Sequence, residues 1–162
     1  MWKLSNWCSQ LQPKRWWRWK KQHKTYGVQV IETISTSGVA NGSTTPADIF
    51  NSASITLTNP NNYILVEMHS NNRANDWGDG VWNLYYMDII HNQSGSQLTY
   101  TGYRGDQTNA IRHVTRSVLH QPGSVGPHSY RCRGWSYQNS STTFVTGADG
   151  TVAYLRLTEI AA

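Results

Sequence analysis

The sequence predicts an all-β protein: an antiparallel β-sandwich of about eight strands behind a short N-terminal arm. Three observations carry this expectation. Runs rich in Val, Ile, Thr, Tyr and Trp recur along the chain, separated by Gly, Pro, Asn, Asp and Ser. The first group packs well on a pleated surface, and the second supplies the backbone angles and local hydrogen bonds of turns. Charged residues make up only 14% of the 162 residues, the balance of strands joined by polar turns. Beyond residue 25 no helical apolar period is sustained.

The elements follow in order. Strands are expected at 28–34, ended by Ser37 and Gly38, at 54–58, stopped by Asn59-Pro60-Asn61-Asn62, and at 63–69. After the Asp76-Trp77-Gly78-Asp79-Gly80 loop comes 81–91, then Asn92-Gln93-Ser94-Gly95, whose residues suit a hairpin, then 98–103. The remaining strands are 112–119, 129–137 and 152–160, the last preceded by Asp149-Gly150. Pro122 and Pro127 bracket a loop, so the central strands stay free of proline. Spacing of this kind suits a sandwich or a jelly roll. In 81–91, Leu84, Tyr86, Asp88 and Ile90 alternate with Tyr85, Met87 and Ile89, so both faces are largely apolar. The closing strand has Val152, Tyr154 and Ile160 on one parity and Ala153, Leu155 and Leu157 on the other. A lone sandwich can leave its outer face polar, so two apolar faces point to burial against another subunit, and an oligomer is expected.

The length admits one such domain, 26–162, with enough core to fold without staples. Cys8 and Cys132 form no CxxC or even-numbered framework, and free thiols are expected. No apolar run approaches the ~20 residues that span a bilayer. Residues 1–24 lack the continuous apolar stretch of a secretory signal, so the expectation is a soluble chain made in a cytoplasm. The sequons at Asn41, Asn92 and Asn139 then carry little meaning.

The net charge of +5 hides an asymmetry. Lys3, Lys14, Arg15, Arg18, Lys20, Lys21 and Lys24 precede residue 25 with no acid among them. The rest of the chain sets seven arginines against nine acids, a net of −2, and contains no lysine. Trp2, Trp7, Trp16, Trp17 and Trp19, five of the eight tryptophans, lie in the same basic segment. Residues 1–25 are therefore set apart as an arm. Within it Leu4, Trp7, Cys8 and Leu11 form one helical stripe, and after Pro13 the tryptophans alternate with Arg15, Arg18, Lys20 and Lys21. Three uses compete: docking on a partner protein, binding nucleic acid, and lying in a membrane interface. Trp and Arg are the commonest interface anchors, which favours docking through Trp2, Leu4, Trp7, Leu11, Trp16, Trp17, Arg18 and Trp19.

Other motifs favour plain structural readings. Arg104-Gly105-Asp106 falls between strands, where Gly and Asp make a turn. Asn75, Asp76 and Asp79 offer hard oxygens but not a calcium-loop spacing. His69, His91, His113 and His128 lie in or beside strands and could cluster, yet none has HxH or HExxH spacing. There is no GxSxG and no obvious carboxylate pair, so an enzyme is disfavoured, and no cofactor or metal is expected. Trp77, Trp82, Trp135 and Tyr137 could stack on sugars, although packing is the commoner fate of such residues.

Four stretches carry a resemblance: Gly27-Val28-Gln29-Val30-Ile31-Glu32-Thr33, Ser54–Thr58 with Tyr63–Glu67, Pro127–Gly134, and the closing Leu155–Ala161. Together they resemble the C-terminal jelly-roll-like domains of fibre and capsid decoration proteins of tailed bacteriophages, notably of marine and cyanobacterial hosts, over residues 26–162. The resemblance implies a jelly-roll-like fold, a homotrimer, and a virion structural protein assembled in the host cytoplasm, without a catalytic site. Family members usually carry a long shaft or repeats, whereas here only the arm precedes the domain. That favours capsid decoration or a short tail fibre held to other virion proteins by the arm. Two alternatives stay open. One is a fibre tip that binds a host receptor or glycan, the other a coat protein whose basic arm contacts packaged genome.

Overall fold

The computed structural model describes residues 29–35, 40–75, 83–105, 111–136, 143–146 and 153–162. In chain order the strands are β1 Val30–Ser35, β2 Ala40–Asn41, β3 Ala47–Asn51, β4 Ile55–Thr56, β5 Tyr63–Asn75 and β6 Asn83–His91. They are followed by β7 Gln97–Gly105, β8 Ile111–His120, β9 Pro127–His128, β10 Tyr130–Ser136, β11 Thr143–Thr146 and β12 Ala153–Ile160. The described residues contain no helix.

Pairing is nested. β1 pairs with β12, β2 with β11, β3 with β10, β4 with β9, β5 with β8 and β6 with β7, all antiparallel. The chain is thus one antiparallel ribbon doubled back at the 92–96 turn, where Gly95 takes φ 70° and its N–H donates to the His91 carbonyl at 2.8 Å. The ribbon is then rolled. β12 and β11 also pair with β5, and β10 also pairs with β6. Among the longer strands this gives β1-β12-β5-β8 in one sheet and β3-β10-β6-β7 in the other, the strand order of a jelly roll.

The inner faces supply the core by alternation. Ile64, Val66 and Met68 of β5 and Leu155 and Leu157 of β12 face Tyr85, Met87 and Ile89 of β6 and Tyr130 and Cys132 of β10. Ile55 and Leu57 close one end, both buried. Cys132 is a buried free thiol, as expected for an unpaired cysteine, and contacts the Met68 sulfur.

The eight expected strands are present, with shifted ends. β5 runs past the expected end at His69 to Asn75, through the polar stretch Ser70-Asn71-Asn72-Arg73. It is extended because β8 on one edge and β11 on the other satisfy its backbone groups. β3 was unread because its alternation breaks. The register with β10 slips between Cys132 and Arg133, leaving Ile49 between the paired Asp48 and Phe50, and both Ile49 and Phe50 are buried. Pro127 does not simply bound a loop: it starts β9, whose two-residue ladder with β4 is short enough to accept a proline.

One expectation needs a different cause. The double burial of β6 is met within a single chain. On its outer face Asp88 is 1% exposed and Ile90 2%, flanked in register by Arg133 and Arg131 of β10 and by Tyr100 and Gln97 of β7. Long side chains laid across a sheet exclude water from it as well as a neighbouring subunit would.

Candidate functional site

The arm residues Trp2, Leu4, Trp7, Leu11, Trp16, Trp17, Arg18 and Trp19 lie outside the described residues, as do Asp76, Asp79, Trp77, Trp82, Tyr137 and Asp106. Arg104 and Gly105 end β7, paired with Leu84 and Asn83, so two residues of the RGD tripeptide are in a ladder and not in a turn. The described residues offer three places with chemistry of their own: the two outer sheet faces and one end of the sandwich.

The outer face of β1-β12-β5-β8 is built in cross-strand rows. Val30, Thr158, Leu65 and Leu119 form one, and Glu32, Arg156, Glu67 and Ser117 the next. Ile34, Tyr154, His69 and Thr115 form the third. Val30, Ile34 and Leu119 are each at least half exposed, and Ile160 is exposed at the end of β12. In the middle row Arg156 grips Glu32, with Nε and Nη2 at 2.7 and 2.6 Å from Oε2, and its guanidinium lies 5.2 Å from the Tyr154 ring centre. Tyr154 stacks on His69 at 5.2 Å. The face is thus apolar at its margins with a charged centre in which Arg156 pairs with Glu32 beside Glu67.

The outer face of β3-β10-β6-β7 is built around Asp88. Arg133 reaches it with two bonds, Nε–Oδ1 at 3.0 Å and Nη2–Oδ2 at 2.5 Å, and Gln97 donates to Oδ2 at 3.0 Å. The hydrogen bond to Asp88 raises the Arg133 pKa further above its ordinary value. Beside it Tyr86 stacks on Tyr100 at 5.0 Å, and Trp135 completes the group at 5.6 and 5.9 Å from the two tyrosines. Gly102 lies opposite Tyr86, where a Cβ would come within 3.0 Å of the ring, so the absent side chain is what lets Tyr86 lie over β7. Tyr100 is 53% exposed.

At the end of the sandwich where β6, β8, β9 and β10 meet, three histidines converge. His91 is in register with Tyr130 across β6 and β10, and His128 with Ile55 across β9 and β4. His91 Nε2 lies 3.2 Å from His128 Nδ1, and its Nδ1 lies 2.8 Å from Ser94 Oγ. His128 Nε2 donates to the Ser124 carbonyl at 2.9 Å. His120 meets the His91 ring edge-on at 4.7 Å and bonds the Tyr130 hydroxyl at 2.9 Å through Nδ1. His91 and His128 are buried. Burial first, then the neighbouring His120 and His128, lowers the His91 pKa to about 4, and burial with His128 lowers that of His120. The Tyr130 hydroxyl is pushed well up by burial. The sequence named His91 and His128 among four histidines that could cluster, with no spacing that pairs them, and did not single out His120. Only strand register brings the three together.

Chemically these groups hold structure more than they prepare a reaction. The Cys132 thiol is pushed up by burial, then by Asp88 and Asp48, so it is a poor nucleophile. Burial raises the Glu159 carboxyl, but hydrogen bonds from Thr58 and Asn62 to its Oε1 outweigh this and leave its pKa lowered. Among the described residues no group of three His, Cys, Asp or Glu side chains is placed to hold a metal ion.

No protein-family model matches the sequence, and no curated protein matches it. Solved structures with a similar course of chain include the VP2 subviral particle of infectious bursal disease virus. It has a TM-score of 0.45 and 11% identity, and the match covers 85% of this chain and 38% of that one. The D431N VP2 protein of the same virus, in derived T=1 particles, gives 0.42 and 14%, covering 83% and 36%. The enzymatically active domain of bacteriophage CBA120 tailspike protein 4 gives 0.31 and 11%, covering 80% and 19%. The present chain thus spans well under two thirds of each.

Proposed function

We propose that this chain is a structural protein of a virus particle, a jelly-roll domain that decorates a capsid or forms a short tail fibre, docked through its N-terminal arm. The observation that carries the reading is the outer face of β1-β12-β5-β8, where Val30, Ile34, Leu119 and Ile160 stand exposed around the Arg156–Glu32 ion pair. Exposed aliphatics grouped on a flat sheet suit contact with a neighbouring subunit, here a homotrimer. The jelly-roll strand order and the segregation of seven cations and five tryptophans into residues 1–25 support it. Salt separates docking from genome contact. Binding to particles depleted of this protein should persist between 50 and 200 mM salt, whereas a phosphate-binding arm loses affinity by orders of magnitude over that range, on the order of 10³-fold for six contacts. Strongly salt-dependent binding to nucleic acid, with none to particles, would overturn the reading.

The Tyr86, Tyr100 and Trp135 group favours a second reading, a tip that binds host glycans. Aromatic surface beside the exposed Gln97 and part-exposed Arg133 side chains is the chemistry that receives a sugar ring. A glycan array with the wild type and a Tyr100→Ala variant tests it. Binding lost in the variant supports the glycan tip, and no binding by the wild type removes it.

A further inference from the structure

Two hydrogen-bonded segments rest on the buried histidines. The Ser124 carbonyl can only accept, so His128 carries its proton on Nε2 and, when neutral, has a bare Nδ1. His91 must then donate from Nε2, which leaves its Nδ1 bare to accept from the Ser94 hydroxyl, while Ser94 Oγ accepts in turn from the Ser96 hydroxyl and N–H. The relay ties the 92–96 turn, through β6, to the 121–126 segment and β9, and it holds in this form only while both rings are neutral. A proton added at His128 Nδ1 forces His91 to give up its Nε2 proton and donate from Nδ1 to Ser94 instead, and a further proton on His91 then sets N–H against N–H. One added at His91 Nδ1 turns the Ser94 contact around and places a charge in a buried site between two further imidazoles.

The groups facing His91 are His120 from β8, His128 from β9, Tyr130 from β10, and Ser94 from its own turn. The Asn92 amide nitrogen and the Gln93 side chain of that turn bond Ser129. Among the described residues no carboxylate bonds any of the three rings. The acid in the same cross-strand row, Glu159, is separated from His120 by Ile64, two strand spacings or roughly 10 Å away, with its Oε1 already taken by Thr58 and Asn62. A new positive charge here has no carboxylate of the described residues in contact with it.

We propose that this end of the jelly roll is an acid-operated latch, closed while His91, His120 and His128 are neutral and opened when they take up protons. Opening frees the 121–126 segment and the two-residue β4·β9 ladder, and uncovers Ile55 and Tyr130, both fully buried in the closed form. The rest of the sandwich keeps its long ladders, so the change is local. The lowered pKa values of His91 and His120 place the opening below neutrality.

The test is amide hydrogen exchange on the full chain between pH 7 and 4, corrected for intrinsic exchange rates, with the imidazole titrations followed by NMR. Protection of the Ile55 and His128 amides, paired in the β4·β9 ladder, is expected to fall at least tenfold while β5 and β12 stay protected, and the His91 imidazole should titrate well below 6.5. The His91→Gln variant should lose the pH dependence of these two amides. A His91 imidazole that titrates at or above 6.5, or unchanged protection of Ile55 and His128 across the range, overturns the latch. The wild-type titration decides the matter even if the variant does not fold.

Discussion

Arg133 and Asp88 form a two-bonded ion pair whose members differ in exposure, the carboxylate side chain being 0% exposed and the guanidinium 27%. The asymmetry arises from the sheet. Asp88 sits on the inner strand β6, while Arg133 reaches it from the next strand, β10, over the outer face. The two halves of the pair therefore cannot be equivalent when one is removed.

Arg133→Ala is expected to cost about 3–5 kcal/mol, because it leaves a buried carboxylate with only Gln97. Asp88→Ala should cost less, about 1–3 kcal/mol, since the Arg133 side chain can turn into water. Urea denaturation midpoints of the two variants read the order directly, and equal losses would show that the pair shares its burial.

Stability should fall with acid in a defined window. The folded His91 pKa, about 4, lies below the ordinary 6.5, so the unfolded chain takes the proton first. The contribution of His91 is complete above pH 6.5 and is lost as the pH falls toward 4. The slope is at most about 1.4 kcal/mol per pH unit, about 3 kcal/mol in all. Denaturation at a series of pH values checks this, and His91→Gln should flatten the window.

Removing residues 1–24 should leave the sandwich folded and abolish attachment to particles. Alanine at the five arm tryptophans should do nearly the same, since buried aromatic anchors carry about 2 kcal/mol or more each. Glutamine at the seven arm cations should mainly slow association. Co-sedimentation with particles measures all three. Loss with the charge-neutral arm and retention with the Trp-free arm would promote genome or membrane binding.

The proposed homotrimer should use the outer face of β1-β12-β5-β8. Sedimentation equilibrium of the full chain should give a trimer, and the Val30→Glu, Leu119→Glu double variant a monomer with unchanged circular dichroism. A trimeric double variant would place the contact elsewhere.

Much of the fold was legible in one dimension because it rests on local physics. Turn chemistry at 59–62 and 92–95 and the period-two apolar pattern of β5, β6, β10 and β12 depend only on neighbouring residues, so seven of the eight longer strands and the short β4 could be read and the arm set apart by charge. The rest was decided by pairing. The polar end of β5 is a strand because β8 and β11 meet its two edges, and β3 was hidden because an extra residue, Ile49, breaks its alternation. Asp88 looks like a polar outer position and is buried because Arg133 and Gln97 cross over it. His91, His120 and His128 are set 29 and eight residues apart along the chain, with no spacing that signals a cluster. They meet because rolling the ribbon brings the ends of β6, β8 and β9 to one place. Alternation and turns are short-range and so are written locally, whereas a buried ion pair or a histidine cluster is a product of register, which exists only once the sheets have closed.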